Sequence, residues 1–285
     1  MERVGLLPNP SKERAMEVVK QVIDWLKEKE VDYLIEQKSA ELIGDLEHSS
    51  SWQEMIERSE LVIVFGGDGT FLNTARKFAA TEIPILGINL GSLGFLTDVE
   101  LDNLNSALED LLAGKFEIEE RIMLEAEVVR DGTSISKVIA INDVVITKGS
   151  FSRLIELKTY IDGEYLTTYP ADGVIVACPT GSTAYSLSAG GPIVNPKLKS
   201  LIITPICPHT LHARSIVVSG EEAIKIIVEA DHEDVMLTVD GQDGLKLISG
   251  DEVLIKSSEL VTKLVKLEGY NFYQILKTRL QRSDF

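Results

Sequence analysis

Cysteine is scarce in this chain. Two occur in 285 residues, Cys178 and Cys207, without the spacing of paired metal ligands. A chain of this length buries a core without covalent staples, so the pair reads as reduced thiols of a cytoplasmic protein. Four scattered histidines show no His-x-x-x-His spacing, so the usual zinc patterns are missing. No Gly-x-x-x-x-Gly-Lys-Ser/Thr loop and no Gly-x-Gly-x-x-Gly fingerprint occurs, which excludes the two commonest nucleotide signatures. No apolar stretch approaches the ~20 residues of a membrane span. Met1-Glu2-Arg3-Val4 leads straight into a strand-like run, so no secretory signal is expected. Basic residues are outnumbered, 28 Lys+Arg against 45 Asp+Glu, a net charge of −17. That balance argues against a nucleic-acid surface or a membrane partner. It leaves room for small anions held by amides, a cation or two and a metal.

The chain does have a strong alternation of strand and helix over residues 2 to about 115. Strands are expected at Val4–Leu7, Val31–Ile35, Leu61–Phe65 and Ile83–Ile88. Between Ser11 and Glu30, apolar residues at Ala15, Val18, Val19, Val22, Ile23 and Leu26 fall on one helical face, with Ser11 as N-cap. Leu101, Leu104, Leu108, Leu111 and Leu112 mark another helix, ended by Gly114. This rhythm predicts a Rossmann-like, doubly wound parallel sheet, whose ligands bind at the carboxyl ends of the strands. After Phe116 strand-like runs succeed one another with short turns, among them the hairpin dipeptides Asp162-Gly163 and Asp240-Gly241. The expectation is a β-rich, sandwich-like second domain. Residues 1–116, 117–268 and 269–285 are read as the α/β domain, the β domain and a terminal helix packing back on the first.

Gly66-Gly67-Asp68-Gly69-Thr70 follows the buried strand Leu61–Phe65 directly, with a helix read over Phe71–Ala80. Three glycines at a strand-to-helix switch allow a sharp turn and close approach of a ligand, and the amides of the helix start favour phosphate. A carboxylate in such a nest is unfavourable unless it holds a metal or orients a hydroxyl that attacks phosphorus. A plain glycine-rich turn is the alternative. Pro179-Thr180-Gly181-Ser182-Thr183-Ala184-Tyr185 and the following Ser186-Leu187-Ser188 offer close backbone approach, hydroxyl donors and an aromatic edge; a small-residue packing helix is the alternative. Asn142-Asp143 interrupts an apolar run, Val138 to Thr147, as a pocket lining or an edge bulge would. Asp172-Gly173 and Asp240-Gly241-Gln242 border strands, where plain turns are also common. Gly91-Ser92-Leu93-Gly94-Phe95 is a second glycine-spaced loop that would wall a pocket. Lys148, Arg153 and Arg214 are candidate phosphate-neutralising cations.

Taken in order, these seven motifs resemble the NAD kinase family: Gly66–Thr70, Gly91–Phe95, Asn142-Asp143, Ala171–Gly173, Pro179–Tyr185, Ala189-Gly190-Gly191-Pro192 and Asp240–Gln242. The first alone is shared with diacylglycerol kinases and is similar to the phosphofructokinase loop. The resemblance implies phosphorylation of the 2′-hydroxyl of the adenosine ribose of NAD, from ATP or polyphosphate, with Mg²⁺ or Mn²⁺. It implies Asp68 as general base and a phosphate loop of Gly66, Gly67, Gly69 and Thr70. It implies NAD contacts at Asp68, Gly69, Asn142, Asp143, Arg153, Asp172, Thr183, Ala184, Tyr185, Ser186, Leu187, Ser188 and Gln242, with Phe95 a pocket wall. A homodimer or homotetramer is implied as well. Two positions depart from the usual pattern. Asp143 stands where many members carry glutamate, and Pro170 where many carry arginine; the second leaves the choice between NAD and NADH open. A lipid or sugar kinase and a non-catalytic NAD-binding module are the rival readings. The first lacks a basic or apolar membrane face in the composition, and the second is disfavoured by the intact Asp68 and glycines.

Overall fold

The computed structural model describes residues 1–285 except 92, 93, 98, 151, 152, 268–270 and 282–285. The chain forms two compact units, Met1–Glu120 with Thr262–Phe285, and Arg121–Val261. Strand Glu252–Leu267 has its first ten residues in the second unit and its last six in the first.

In the first unit the parallel strands run in the order Ser49–Ser50, Asp32–Glu36, Arg3–Pro8, Leu61–Gly66 and Ile85–Asn89, followed by the end of Glu252–Leu267. Arg3–Pro8 pairs with a strand that follows it on either side, which makes the switch point of the sheet. Leu61–Gly66 is buried at every residue, as both-face coverage requires. Helix Glu13–Glu28 packs the stripe read from the sequence, Ala15, Val18, Val19, Val22, Ile23 and Leu26, onto this sheet. Each such aliphatic burial contributes roughly 1.5–3 kcal/mol. Ser11 is not its cap. Asn9 draws both the Ser11 N–H and the Ser11 hydroxyl onto its own Oδ1, and the helix begins two residues later without a side-chain cap. Two helices escape the periodicity reading, Gln37–Ile43 and Trp52–Arg58, because seven residues give too few repeats. The second carries a full capping box, Ser51 with Glu54. Helix Phe272–Gln281 belongs to this unit, with the Phe272 ring 6.3 Å from that of Phe95.

The second unit is antiparallel. One sheet runs Ile216–Ser219, Ser200–Ile206, Gly173–Ala177, Asp143–Lys148, Val235–Val239, Asp243–Leu247. The other runs Glu164–Ala171, Ile155–Ile161, Ile224–Glu229 and the start of Glu252–Leu267, joined by the hairpin Phe116–Arg130 with Thr133–Ala140. Val144, Ile146, Val174 and Val176 share one core with Leu157, Ile226 and Val253 of the second sheet. Their neighbours Val145, Ile175 and Ile202 pack on the opposite face against Val194. Burial on both faces explains why these strands read as unbroken apolar runs rather than alternating ones. The expected strand Val138–Thr147 is two strands, broken at Ile141-Asn142. Glu252–Leu267 is one continuous strand of 16 residues. The Asp162-Gly163 hairpin has φ of 46° and 83°, the left-handed pair its tight turn demands.

Candidate active site

The strand Leu61–Gly66 delivers the glycine loop at its carboxyl end. Helix Asp68–Phe78 starts inside the motif rather than after it. The Gly67 carbonyl accepts Thr70 N–H at 3.0 Å and Phe71 N–H at 3.1 Å, so Asp68 sits in the first turn, where the helix dipole favours a carboxylate. Its side chain ties down the loop that follows strand Ile85–Asn89. Oδ2 accepts Phe95 N–H at 3.1 Å; Oδ1 accepts Leu96 N–H at 3.2 Å and the Thr97 hydroxyl at 3.1 Å. Gly94 is required there, because a Cβ would overlap Asp68 Oδ1 and Thr97 Oγ1. Ser92 and Leu93 of this motif lie outside the described residues. An ionised carboxylate offers about four acceptor positions. With three used, Asp68 can take one further donor.

The three glycines of the loop differ in what they need. A Cβ at Gly66 would come within 2.5 Å of Thr70 Oγ1, so packing fixes that one. A Cβ on Gly67 or Gly69 would meet no atom of the described residues within 4 Å, and neither residue has positive φ. Glycine at these two places therefore leaves room for close approach of a ligand to the backbone. Thr70 Oγ1 accepts from Asn9 Nδ2 at 3.0 Å, which links this loop to the one after the first strand.

In the second unit the break at Ile141-Asn142 is held by Asp240. Its Oδ1 accepts the amides of Ile141, Asn142 and Asp143 at 3.1, 2.8 and 3.2 Å. Asp240 has φ of 50° and Gly241 66°, so the hairpin turn aims the carboxylate back at the break. Asp143 follows, 4% exposed. Burial first, then the charge of Asp240, push its carboxyl up to about 7. Cys178 donates N–H to Asn142 O at 3.0 Å and its thiol to Ile141 O at 2.7 Å. Burial raises that thiol to about 11, which makes it an inert structural group. A Cβ on Gly181 would overlap the Asn142 carbonyl, so the Thr180–Thr183 turn lies directly on the Asn142 backbone.

Exposure varies along Thr183–Ser188. Tyr185 is 46% exposed and opens the short helix Tyr185–Ser188. Ser186 is fully buried and turns inward, its hydroxyl 3.0 Å from that of Thr204. Lys148 pairs with Asp172 at 3.5 Å. Arg214 bonds the carbonyls of Leu211 and Ala213 in its own loop. Arg153 is exposed, its carbonyl accepting from His232 at 2.9 Å. Gln242 is exposed beside the Asp240 turn. Sequence reasoning missed Asp240 and Thr97 as organisers of these loops. A carboxylate that bonds amides 97 to 99 residues away leaves no local signal.

A glycine loop at the carboxyl end of a central parallel strand, with a carboxylate beside it, and a β-rich unit carrying polar strand breaks are the features of a nucleotide-binding phosphotransferase. Residues 4–116 match the model of the ATP-NAD kinase N-terminal domain, and 141–267 that of the ATP-NAD kinase C-terminal domain. The NAD kinase of Natranaerobius thermophilus is 47% identical over 280 residues, 98% of each chain. Yeast NADH kinase, solved with NADH, superposes with a TM-score of 0.90 at 30% identity, covering 100% of this chain and 89% of that one. An NAD kinase from Archaeoglobus fulgidus, solved with ATP, gives 0.77 at 27%, covering 97% and 99%. The chain belongs to the NAD kinase family and is an enzyme. Among the described residues no helix is long and apolar enough to cross a membrane.

Proposed function

We propose that the chain transfers the terminal phosphoryl group of ATP to the 2′-hydroxyl of the adenosine ribose of NAD, with Asp68 receiving the hydroxyl proton. The observation that carries this is the Asp68 carboxylate, fixed by three donors at the glycine loop with one acceptor position left for a hydroxyl. The new bond joins the 2′-oxygen to phosphorus, the bond to the bridging oxygen of ADP breaks, and the proton passes to Asp68. The transition state of such transfers is loose, so positioning and charge neutralisation carry most of the catalysis and a strong base is not needed. The amides at the start of helix Asp68–Phe78 face the donor phosphates. Among the described residues no cluster of three or more His, Cys, Asp or Glu could hold a metal. Mg²⁺ would therefore arrive with the triphosphate, as part of the substrate. Asn142, Asp143, Asp172, Tyr185, the backbone of Thr183–Ser188, Arg153 and Gln242 are assigned to the dinucleotide.

The deciding assay mixes purified protein, MgATP and NAD and reads NADP with an NADP-specific dehydrogenase. NADP formation is the expected result. NAD bound without product from ATP or polyphosphate would reduce the chain to a binding module. Running NADH beside NAD, with NADPH read by chromatography, tests whether Pro170 alters the preference. A sharper signature comes from Gly69→Ala. An alanine in the first turn of a helix, at an open position, should stabilise the fold by about 0.4–1 kcal/mol. The same methyl should obstruct the ligand and lower kcat/KM at least ~10-fold. Unchanged kinetics would remove Gly69 from the phosphate loop.

A further inference from the structure

Within the first unit, the C-terminal helix Phe272–Gln281 reaches back to the loop that holds Asp68. Asn271 sets its start: the Asn271 Oδ1 accepts Gln274 N–H at 2.9 Å, the bond of an N-cap. Phe272, Ile275 and Arg279 then follow at i, i+3 and i+7, one face of the helix. Ile275 is buried in the middle of that face. The residues on either side of it both meet the ring of Phe95. The Phe272 ring lies 6.3 Å from it, centroid to centroid, at an interplanar angle of 43°, within the range of favourable aromatic pairs. The Arg279 guanidinium lies over the same ring, 6.0 Å from its centroid. Arg279 Nε is buried and has no hydrogen-bond partner among the described residues. A guanidinium placed so gives up hydration, and the face of the Phe95 ring offsets part of that loss.

Phe95 is also the residue whose N–H bonds Asp68 Oδ2 at 3.1 Å. The other two donors to Asp68, Leu96 and Thr97, are buried, so the packing of the unit fixes them. Phe95 is only half-buried, and Gly94 before it has no side chain to pack. The place of the Phe95 N–H therefore depends on where its ring is held. We propose that Phe272 and Arg279 are positioning residues for the phosphoryl transfer: the C-terminal helix clamps the Phe95 ring, and through it the Phe95 N–H keeps the Asp68 carboxylate aimed. The inference rests on Asp68 as proton acceptor and extends that reading to the last helix of the chain. Loss of the clamp moves a carboxylate and removes no contact to the dinucleotide. The effect therefore belongs on kcat and not on NAD affinity. A displacement of about 1 Å at a reacting group can lower the rate ~10²-fold.

The test is a double-mutant cycle on the full-length enzyme. Phe272→Ala combined with Arg279→Ala should lower kcat about tenfold or more and leave KM for NAD within about twofold. Phe272→Tyr keeps the ring and should stay within about twofold of wild type, as should Leu280→Ala on the exposed side of the same helix. Arg279→Gln is the mildest variant for folding; it removes only the cation and should lower kcat about threefold. In an Asp68→Asn background the double substitution should change kcat by no more than about twofold, because the clamp acts through the carboxylate. An unmoved kcat, or an equal fall in both backgrounds, would overturn the proposal. Hydrogen exchange at the Phe95 and Leu96 amides needs no turnover and should quicken in the double variant. Faster exchange there, with Asp68→Asn turning over like wild type, would uphold the clamp and defeat the proton-acceptor reading. Unmoved exchange in an enzyme that needs Asp68 would do the reverse.

Discussion

Asp68→Asn should lower turnover by roughly 10²–10⁴ and leave NAD affinity nearly unchanged. The substitution removes the proton acceptor and keeps the shape. It also perturbs the loop that Asp68 anchors, and the two effects can be separated. The carboxylate accepts Phe95 N–H on one oxygen and Leu96 N–H with the Thr97 hydroxyl on the other. An asparagine must turn its NH₂ toward one of these donors, losing at least one bond worth about 0.5–1.5 kcal/mol. A modest fall in melting temperature is therefore expected beside the kinetic loss. Thr97→Val is the control, because it removes one donor to Asp68 and leaves the charge. It should share the small stability change but keep turnover within about tenfold of wild type. A Thr97→Val loss as large as that of Asp68→Asn would mean that loop anchoring, and not proton acceptance, is the contribution of Asp68. Calorimetry with NAD on both variants completes the comparison.

What could be read from the chain followed from how locally each feature is encoded. The helical stripe of Glu13–Glu28 and the apolar strands repeat over enough residues to stand out, and both were legible. Glycine spacing placed the phosphate loop. It could not separate Gly66, where a Cβ would overlap Thr70, from Gly67 and Gly69, where a Cβ would meet no atom of the described residues within 4 Å. The helix start at Asp68 was hidden because a glycine cap and a glycine in the first turn both read as loop. Asp240-Gly241 was legible as a hairpin and is one. Its second task, gathering the amides of Ile141 to Asp143, depends on the pairing of Val235–Val239 with Asp143–Lys148, which brings Asp240 to the break. The contact of Phe272 and Arg279 with Phe95 was also invisible, since it joins a loop of the α/β unit to the last helix of the chain.

Asp143→Asn should stabilise the protein increasingly as pH rises from 5 to 8, and weaken NAD at the same time. In the folded chain burial, and then the charge of Asp240, raise the Asp143 carboxyl from its ordinary 3.8 to about 7. Between those values the folded protein keeps a proton that the unfolded chain has released. By linkage, stability falls as pH rises across that window, at up to ~1.4 kcal/mol per pH unit, and the penalty is complete above about 7. An asparagine has no such titration. Its advantage over the wild type should therefore grow by on the order of 2 kcal/mol from pH 5 to pH 8, several degrees in melting temperature. Catalysis should respond in the opposite sense. If the ionised Asp143 accepts a hydrogen bond from NAD, the wild-type KM for NAD should fall as pH rises from 6 to 8. In Asp143→Asn that KM should be flat with pH and about tenfold higher at pH 8. The adjoining Cys178 thiol stays neutral across this range, so it does not contribute to the profile. Thermal melts and KM for NAD measured on both proteins at pH 5, 6, 7 and 8 decide it. A stability difference that does not change with pH would mean that Asp143 is already ionised in the folded protein. In that case Asp240, which organises the strand break, would not also hold a proton on its neighbour.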